Sequence, residues 1–275
     1  MSKVIEYKLC HENDLENNSM KECEIDLDDN GHVKKYKVLL VKSDNQFQCL
    51  PTKCTHYNAP LANGILYKGR LRCFAHGASF NVQTGDIEDY PGPDCLPKYK
   101  VKINKATGHV FLYVTQQELE ISKRLRTIQN HIEPTILKSL PKVLIVGSGA
   151  AGLICLDTLR EAGWSSNVTM ITSDIYPPYD RPKLSKSPDL AFDKIAMRDA
   201  RFFTENGIHF HMNKEVEAID FEAKRVVCKD NAIYSYDRLV IATGLRANNG
   251  ADSANLKGNE VNKREYNYRK QKAIP

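Results

Sequence analysis

Residues 54–60 read CTHYNAP, and residues 73–80 read CFAHGASF. Each stretch pairs one cysteine with one histidine, Cys54 with His56 and Cys73 with His76, and sixteen residues separate the pairs. Turn-forming residues surround both stretches, so each is expected to be a loop rather than a helix. Two thiols and two imidazoles are ligands that soft and borderline metals accept. The two loops therefore predict one metal centre with four protein ligands.

The ligand set matches a Rieske [2Fe–2S] centre, in which two cysteines bind one iron and two histidines bind the other. The pattern resembles the Rieske family over about residues 5–114, and Pro60, Gly77 and Phe80 beside the loops agree with it. A mononuclear zinc site, which takes the same ligands tetrahedrally, and chance are the alternatives. Zinc fingers usually pair Cys with Cys and His with His along the chain, which favours the Rieske interpretation. The predicted metal ligands are Cys54, His56, Cys73 and His76.

The residues around the loops resemble low-potential Rieske proteins. Rieske proteins of respiratory complexes carry an additional cysteine in each loop and a serine at the place of Ala78. This chain has neither. Fewer hydrogen bonds to the cluster sulfurs lower its potential, so the resemblance implies a ferredoxin-like centre.

The first 114 residues have the pattern of an all-β domain. KYKVKIN (98–104) alternates lysine with Tyr99, Val101 and Ile103, which predicts a strand with those three residues on its buried face. Further predicted strands are KYKVLLV (35–41), FQCL (47–50) and HVFLYV (109–114), separated by glycine-containing turns. Residues 115–140 are charged, helix-permissive and interrupted by Pro134 and Pro141, and they are predicted to be a linker.

An α/β pattern begins after the linker. VLIV (143–146) predicts a buried strand, and Gly147-Ser-Gly149-Ala150-Ala151-Gly152 follows it and opens a helix. In this setting Gly147 permits a tight turn, Gly149 lets a pyrophosphate approach the backbone, and Gly152 lets helix and strand pack closely. An acidic residue about 20 positions further on binds a ribose in such folds. Asp174 stands 22 residues past Gly152, although comparison with relatives also suggests Ser173.

The segment PPYDRPKLSK (177–186) indicates which dinucleotide is bound. It resembles the flavoprotein reductases of the apoptosis-inducing-factor and ferredoxin-reductase group. The resemblance implies that Arg181 contacts FAD phosphates and that Lys186, the candidate catalytic residue, lies near the flavin ring. It also implies that LVIATG (239–244), with Thr243 and Gly244, passes near FAD, and that the backbone of Val216 meets adenine.

The order of Rieske domain, linker and FAD fold resembles the apoptosis-inducing factor 3-like proteins. The expected fold class is an all-β Rieske domain followed by a partial α/β Rossmann-type FAD-binding domain. The expected boundaries are 1–114 for the Rieske domain, 115–140 for the linker, 141–261 for the partial FAD/NAD(P)-binding domain and 262–275 for an atypical basic tail.

The resemblance implies an oxidoreductase that passes electrons from NAD(P)H through FAD to the [2Fe–2S] cluster and then to an unknown acceptor. We expect the chain to be C-terminally truncated, because the NAD(P)H-binding unit is not found in it. A truncated chain is expected to hold its cluster, to bind FAD weakly or not at all, and to lack NAD(P)H turnover. The alternatives are a non-enzymatic Rieske ferredoxin-like carrier with a vestigial flavin domain, or a cell-death signalling protein.

Composition restricts the location and the partners. The 275 residues carry a formal charge of +5 and eight scattered cysteines. No signal peptide and no apolar run long enough to span a membrane are found, so the thiols favour a reducing compartment. We therefore expect a cytoplasmic protein, or by resemblance a mitochondrion-associated one, that does not bind nucleic acid.

Overall fold

The computed structural model describes residues 4–29, 32–128, 136, 139–164, 167–187 and 189–245. The predicted basic tail and the end of the predicted FAD domain lie outside these residues. The chain divides into two compact units, residues 1–127 and residues 128–275. Each unit is described by itself below.

The first unit is built of β-strands, as its sequence predicts. Its described strands are β1 (Ile5–His11), β2 (Ser19–Asp29), β3 (His32–Ser43), β4 (Gln46–Pro51), β5 (Ile65–Tyr67), β6 (Arg70–Arg72), β7 (Ser79–Asn81), β8 (Ile87–Asp89), β9 (Lys100–Asn104) and β10 (His109–Val114). They form three antiparallel sheets with the orders β1-β10-β9, β2-β3-β4 and β5-β6-β7-β8. Short 3-10 helices at Glu12–Asp14 and Leu61–Asn63 complete the unit.

Strand β3 separates two hydrophobic cores. Side chains alternate across a strand, so the run VLLV at 38–41 points to both sides. Val38 and Leu40 belong to the core between the sheets of β1 and β2, and Leu39 and Val41 belong to the core under the four-stranded sheet. All four are fully buried. The second core also contains Cys54 and Cys73, so the two predicted sulfur ligands are anchored in the buried interior of the unit.

The predicted alternation in β9 is correct only in part. Tyr99 is buried, Val101 is partly buried, and Ile103 is 37% exposed. The reason is that β9 is the edge strand of its sheet, so its far end extends beyond the core.

The segment predicted as a linker begins with structure that belongs to the first unit. Thr115 caps the short helix α1 (Gln116–Glu120) by accepting a bond from the N–H of Glu118, whose side chain in turn accepts from the N–H of Thr115. This reciprocal pattern is a capping box. The chain then runs extended, and residues up to 127 remain within the first unit.

The second unit has a parallel sheet with helices, as predicted. Its described elements are β11 (Val143–Val146), α2 (Ala150–Glu161), β12 (Val168–Ile171), α3 (Arg181–Lys186), a 3-10 turn (Phe192–Lys194), α4 (Ala200–Glu205), β13 (His209–His211), β14 (Val216–Asp220), β15 (Arg225–Cys228), β16 (Ile233–Ser235) and β17 (Arg238–Ile241). The parallel sheet has the order β13-β12-β11-β17, and β14-β15-β16 form an antiparallel sheet. Gly163, at φ 86°, follows the C-cap of α2, as the sequence predicts.

The register of the parallel sheet brings three loops to one edge. Val146 pairs with Ile171 on one side and with Ile241 on the other, so β11, β12 and β17 end at the same level. Loops at the carboxyl ends of parallel strands are where such folds bind ligands. The glycine turn, Asp174 and Thr243 all follow these three strand ends.

Among the described residues, no helix is both long and apolar enough to cross a membrane.

Candidate iron–sulfur and dinucleotide sites

The two predicted ligand loops share one backbone frame. In the first, the N–H of Cys54 donates to the carbonyl of Ala59 at 2.9 Å, and the N–H of Asn58 donates to the carbonyl of Cys54 at 3.0 Å. In the second, the N–H of Cys73 donates to the carbonyl of Ala78 at 2.8 Å, and the N–H of Gly77 donates to the carbonyl of Cys73 at 3.0 Å. The fourth residue after each cysteine adopts a positive φ. The two loops therefore have the same backbone hydrogen bonds, but the histidine is the second residue after the cysteine in the first loop and the third in the second loop.

A positive φ is required at the same place in both loops, and each sequence meets it differently. Gly77 has φ 80° and Asn58 has φ 58°. Glycine enters this left-handed region without steric cost, and asparagine is among the few other residues that tolerate it. This closes each loop back on its cysteine.

The two thiols lie together in the core. Cys54 is 1% exposed and Cys73 is 3% exposed, and both belong to the same hydrophobic core. Burial raises the pKa of Cys54 to about 11, whereas the backbone N–H groups of His56 and Tyr57 lower it by donating to the sulfur. Burial thus disfavours the thiolate form of Cys54, and a bound metal would supply the positive charge that favours it.

The two imidazoles lie nearer to solvent. The ring centroids of His56 and His76 are 4.9 Å apart, with the ring planes nearly perpendicular. His56 is partly buried, and Tyr57 stacks on it with centroids 4.0 Å apart, while His76 is exposed. The arrangement has a buried pair of sulfurs at one end and a pair of rings at the surface.

A third loop completes the site, and the sequence analysis treated it only as a turn. It spans residues 90–96, and an added Cβ at Gly92 would lie 3.4 Å from the Cβ of His56. The hydroxyl of Thr55, which lies between two predicted ligands, donates to the carbonyl of Asp94 at 2.8 Å. The only signal in the sequence was Pro91-Gly92-Pro93, which does not indicate what the turn packs against.

The donor set fits a binuclear centre. In the part of the chain that the structure describes, no three His, Cys, Asp or Glu side chains converge as ligands of a single ion. Each iron of a Rieske cluster takes only two protein ligands, two sulfurs on one and two nitrogens on the other. The separate sulfur pair and ring pair have this composition, and Cys54, His56, Cys73 and His76 are the residues that would hold the cluster.

The glycine turn of the second unit is closed by steric contacts that only glycine permits. An added Cβ at Gly152 would lie 2.0 Å from the carbonyl oxygen of Gly147, and one at Gly147 would lie 2.3 Å from that of Ala242. At Gly149, the N-cap of α2, an added Cβ would meet nothing within 4 Å. Ala150 and Ala151 form the exposed first turn of α2. This open helix N-terminus is the cradle that a pyrophosphate requires.

A chain of polar contacts connects this turn to two further predicted FAD residues. Ser148 donates to the hydroxyl of Thr172 at 3.0 Å, and the N–H of Asp174 donates to the same hydroxyl at 3.2 Å. The carboxylate of Asp174 lies 3.5 Å from Nη2 of Arg181 and accepts a bond of 3.0 Å from Tyr179. The structure therefore brings the glycine turn, Asp174 and Arg181 to one edge of the sheet.

The other predicted FAD residues are distributed around this edge. Thr243 and Gly244 are exposed just after β17, and Gly147 packs against the backbone between Ala242 and Thr243. Val216 packs against the core that contains Val146 and Ile171. Lys186 is exposed at the C-terminal end of α3.

Comparison with known proteins defines the class of the chain. Residues 5–100 match the Rieske [2Fe-2S] domain, and residues 141–273 match the pyridine nucleotide-disulphide oxidoreductase family. The chain thus joins a Rieske domain to a pyridine nucleotide oxidoreductase domain, and the predicted fold class is confirmed. The same matches support the predicted [2Fe–2S], FAD and NAD(P)H cofactors.

Curated relatives have the same domain order. Human apoptosis-inducing factor 3 is 42% identical over 258 residues, which cover 94% of this chain and 40% of that protein. The mouse protein of the same name is 42% identical over 241 residues, which cover 87% of this chain and 38% of that protein. The predicted resemblance to apoptosis-inducing factor 3-like proteins is therefore confirmed. The chain spans about two fifths of the length of these relatives.

More distant relatives match one part of the chain. Rubredoxin-NAD(+) reductase of Pseudomonas putida is 33% identical over 108 residues, which cover 38% of this chain and 28% of that protein. The crystal structure of NADH:rubredoxin oxidoreductase from Clostridium acetobutylicum is 31% identical, with a TM-score of 0.36, and covers 39% of this chain and 29% of that one.

Proposed function

We propose that the chain is the electron-transferring part of an NAD(P)H-dependent oxidoreductase, in which electrons pass from the nicotinamide through FAD to a Rieske cluster and on to an acceptor protein. The observation that carries the proposal is the paired ligand loops, with their sulfurs buried and their imidazoles near the surface, in one chain with a glycine turn at a sheet edge. The curated relative named rubredoxin-NAD(+) reductase supports electron transfer between a nicotinamide cofactor and an electron-carrier protein.

Each group of residues has a distinct task. Cys54 and Cys73, which are buried in the core, would hold one iron, and His56 and His76, which lie nearer to solvent, would hold the other. The glycine turn binds the pyrophosphate of FAD, Arg181 neutralises phosphate charge, and Lys186 stabilises negative charge at the flavin ring. When bound, FAD accepts two electrons and releases them singly, which suits it to a junction between nicotinamide and iron.

The domain boundaries and the compartment are also proposals. We place the Rieske domain at 1–114, the linker at 115–140 and the FAD domain at 141–261. None of the eight cysteines forms a disulfide, and this supports a reducing compartment such as the cytoplasm.

Spectroscopy of the purified chain tests the proposal. Absorption and electron paramagnetic resonance spectra, before and after dithionite, are expected to show a reducible [2Fe–2S] cluster with mixed sulfur and nitrogen ligation. Added FAD is expected to bind weakly, and stopped-flow mixing with NADH then tests whether any bound flavin is reduced. A colourless chain that contains zinc and no acid-labile sulfide would overturn the proposal.

The same measurements distinguish the proposed oxidoreductase from the main alternative, a non-enzymatic ferredoxin-like carrier. A cluster without any flavin binding indicates a ferredoxin-like carrier rather than an oxidoreductase chain. The glycine turn of the second unit, with close backbone contacts at Gly147 and Gly152 and open space at Gly149, favours the oxidoreductase.

A further inference from the structure

Residues 123–126, here named the strap, are bound to the Rieske unit although they belong to the predicted linker. Arg124 pairs with Cys95 through two backbone bonds, from the N–H of Cys95 to the carbonyl of Arg124 at 2.8 Å and in the reverse direction at 2.9 Å. Cys95 is fully buried in the same core as Cys54 and Cys73. The strap thus adds a short antiparallel pairing to the third loop of the site.

The side chains of the strap hold it in place. Nη2 of Arg124 donates to the carbonyl of Thr84 at 2.6 Å and to the carboxylate of Asp86 at 2.7 Å. Nζ of Lys123 lies 2.9 Å from the carboxylate of Asp94, whose side chain is 7% exposed. Arg126 donates to the carbonyl of Ile87. Three of the four strap residues are therefore basic, and their side chains bind groups just before the third loop and the carboxylate of Asp94 within it.

The opposite side of the third loop contacts the first ligand loop. The carbonyl of Asp94 accepts the hydroxyl of Thr55, and Gly92 packs against His56. Asp94 is the residue common to both sides, since its side chain binds the strap and its backbone binds the ligand loop. The third loop therefore lies between the strap and His56.

We propose that the strap is a positioning element for the cluster: Lys123 and Arg124 hold the third loop against Thr55 and His56 and so fix the imidazole at the exposed end of the site. The inference rests on the proposed cluster and assigns to the linker a role in the electron-transfer site. A loop held by few buried contacts opens locally at low cost, and the strap removes that freedom here.

Opening of the third loop changes the surroundings of His56. Water then reaches the side of the ring that Gly92 covers, and the ring loses one of the surfaces that orient it. Solvent access and ligand orientation both tune a metal centre and its retention. Loosening the strap is therefore expected to alter the spectrum and the lifetime of the cluster without removing a ligand.

The test compares three full-length variants with the wild-type chain. Arg124→Gln removes the bonds to Thr84 and Asp86. Lys123→Gln removes the ion pair with Asp94. The Lys123 side chain is half-exposed, so this substitution is expected to leave the fold intact. The matched control, Lys34→Gln, removes the ion pair of Lys34 with Glu120 on α1. Glu120 belongs to the same predicted linker as the strap, but this ion pair does not involve the third loop.

Amide hydrogen exchange at residues 90–96 is expected to accelerate about tenfold in Arg124→Gln and less in Lys123→Gln, and to stay at the wild-type rate in Lys34→Gln. Both strap variants are expected to release iron to a chelator faster and to shift the electron paramagnetic resonance spectrum. Wild-type exchange in both strap variants, or faster exchange with unchanged spectrum and iron release, would overturn the inference. A wild-type chain without a cluster would instead overturn the proposed function.

Discussion

Arg181 and Asp174, two residues predicted to bind FAD, form an ion pair with each other, with Nη2 and Oδ2 3.5 Å apart. The carboxylate is 7% exposed and the guanidinium is 43% exposed, so the acid is the anchor and the arginine reaches outward. Asp174 therefore has a task in this structure besides the ribose contact that was predicted for it. It orients the cation that is expected to meet the phosphates.

Asp174→Asn is expected to weaken FAD binding about tenfold, because Arg181 loses the charge that directs it. Titration with FAD, followed by quenching of flavin fluorescence, measures the change. Asp193→Asn is the control, since this exposed acid forms an ion pair with its neighbour Lys194. Equal affinity in Asp174→Asn and in the wild-type chain would contradict the orienting role.

The glycine turn allows stability and cofactor binding to be separated. Gly152→Ala places a Cβ 2.0 Å from a backbone oxygen and is expected to destabilise the second unit by about 1–3 kcal/mol or more. Gly149→Ala meets no atom within 4 Å, so it is expected to leave the fold unchanged while it obstructs the approach of the pyrophosphate. Thermal unfolding and FAD titration of the two variants measure both effects. The prediction fails if Gly149→Ala is as unstable as Gly152→Ala.

Replacement of a predicted sulfur ligand is expected to abolish the cluster. Cys54→Ser or Cys73→Ser removes one of two thiolates from the same iron, and the expected result is loss of acid-labile sulfide and of visible absorption. Cys155→Ser is the control because this thiol lies on α2 in the other unit. A full cluster in either ligand variant would exclude that residue as a ligand.

His76→Cys is expected to keep the cluster and to lower its potential by on the order of 100 mV, because a thiolate adds negative charge where a neutral imidazole had none. The exposed position of His76 makes the replacement sterically mild. Redox titration followed by absorption measures the shift. An unchanged potential would argue that His76 does not bind iron.

A buried ion pair is expected to support the second unit. Nη2 of Arg198 lies 2.6 Å from Oδ2 of Asp157, with side-chain exposures of 4% and 7%, and it connects α2 to the segment before α4. Arg198→Met alone is expected to cost about 3–5 kcal/mol, whereas the double variant Asp157→Leu with Arg198→Met is expected to recover most of the loss. Trp164, the single tryptophan, lies in this unit. Its fluorescence during denaturant titration therefore reports the unfolding of the second unit and not of the first. A double variant as unstable as the single one would contradict the pairing.

The sequence predicted those features that depend on local patterns. The run at 38–41 indicated a strand because consecutive apolar residues fill two cores, and the structure has β3 there. The glycine turn was recognisable from the spacing of its glycines directly after a strand, and Gly152 meets a steric need within the turn itself, at the carbonyl of Gly147. The chemistry of the two ligand loops was likewise evident from residue type and spacing, although the assignment of the ligands stays a prediction.

Features that depend on distant partners were missed. Arg124 looked like part of a charged linker because its partners Thr84 and Asp86 lie about forty residues earlier in the chain. The contact between Gly92 and His56 joins two loops that no periodicity relates. The common frame of the ligand loops was also not predicted, because it consists of backbone bonds that side-chain identities do not record.

This common frame has a consequence for engineering. Since main-chain amides close both loops around their cysteines, the side chains at 56 and 76 are replaceable without redesign of the turns. The domain is in this respect a natural template for artificial redox proteins. Substitution of the side chains at positions 56 and 76 alone is expected to yield a series of electron carriers with different reduction potentials.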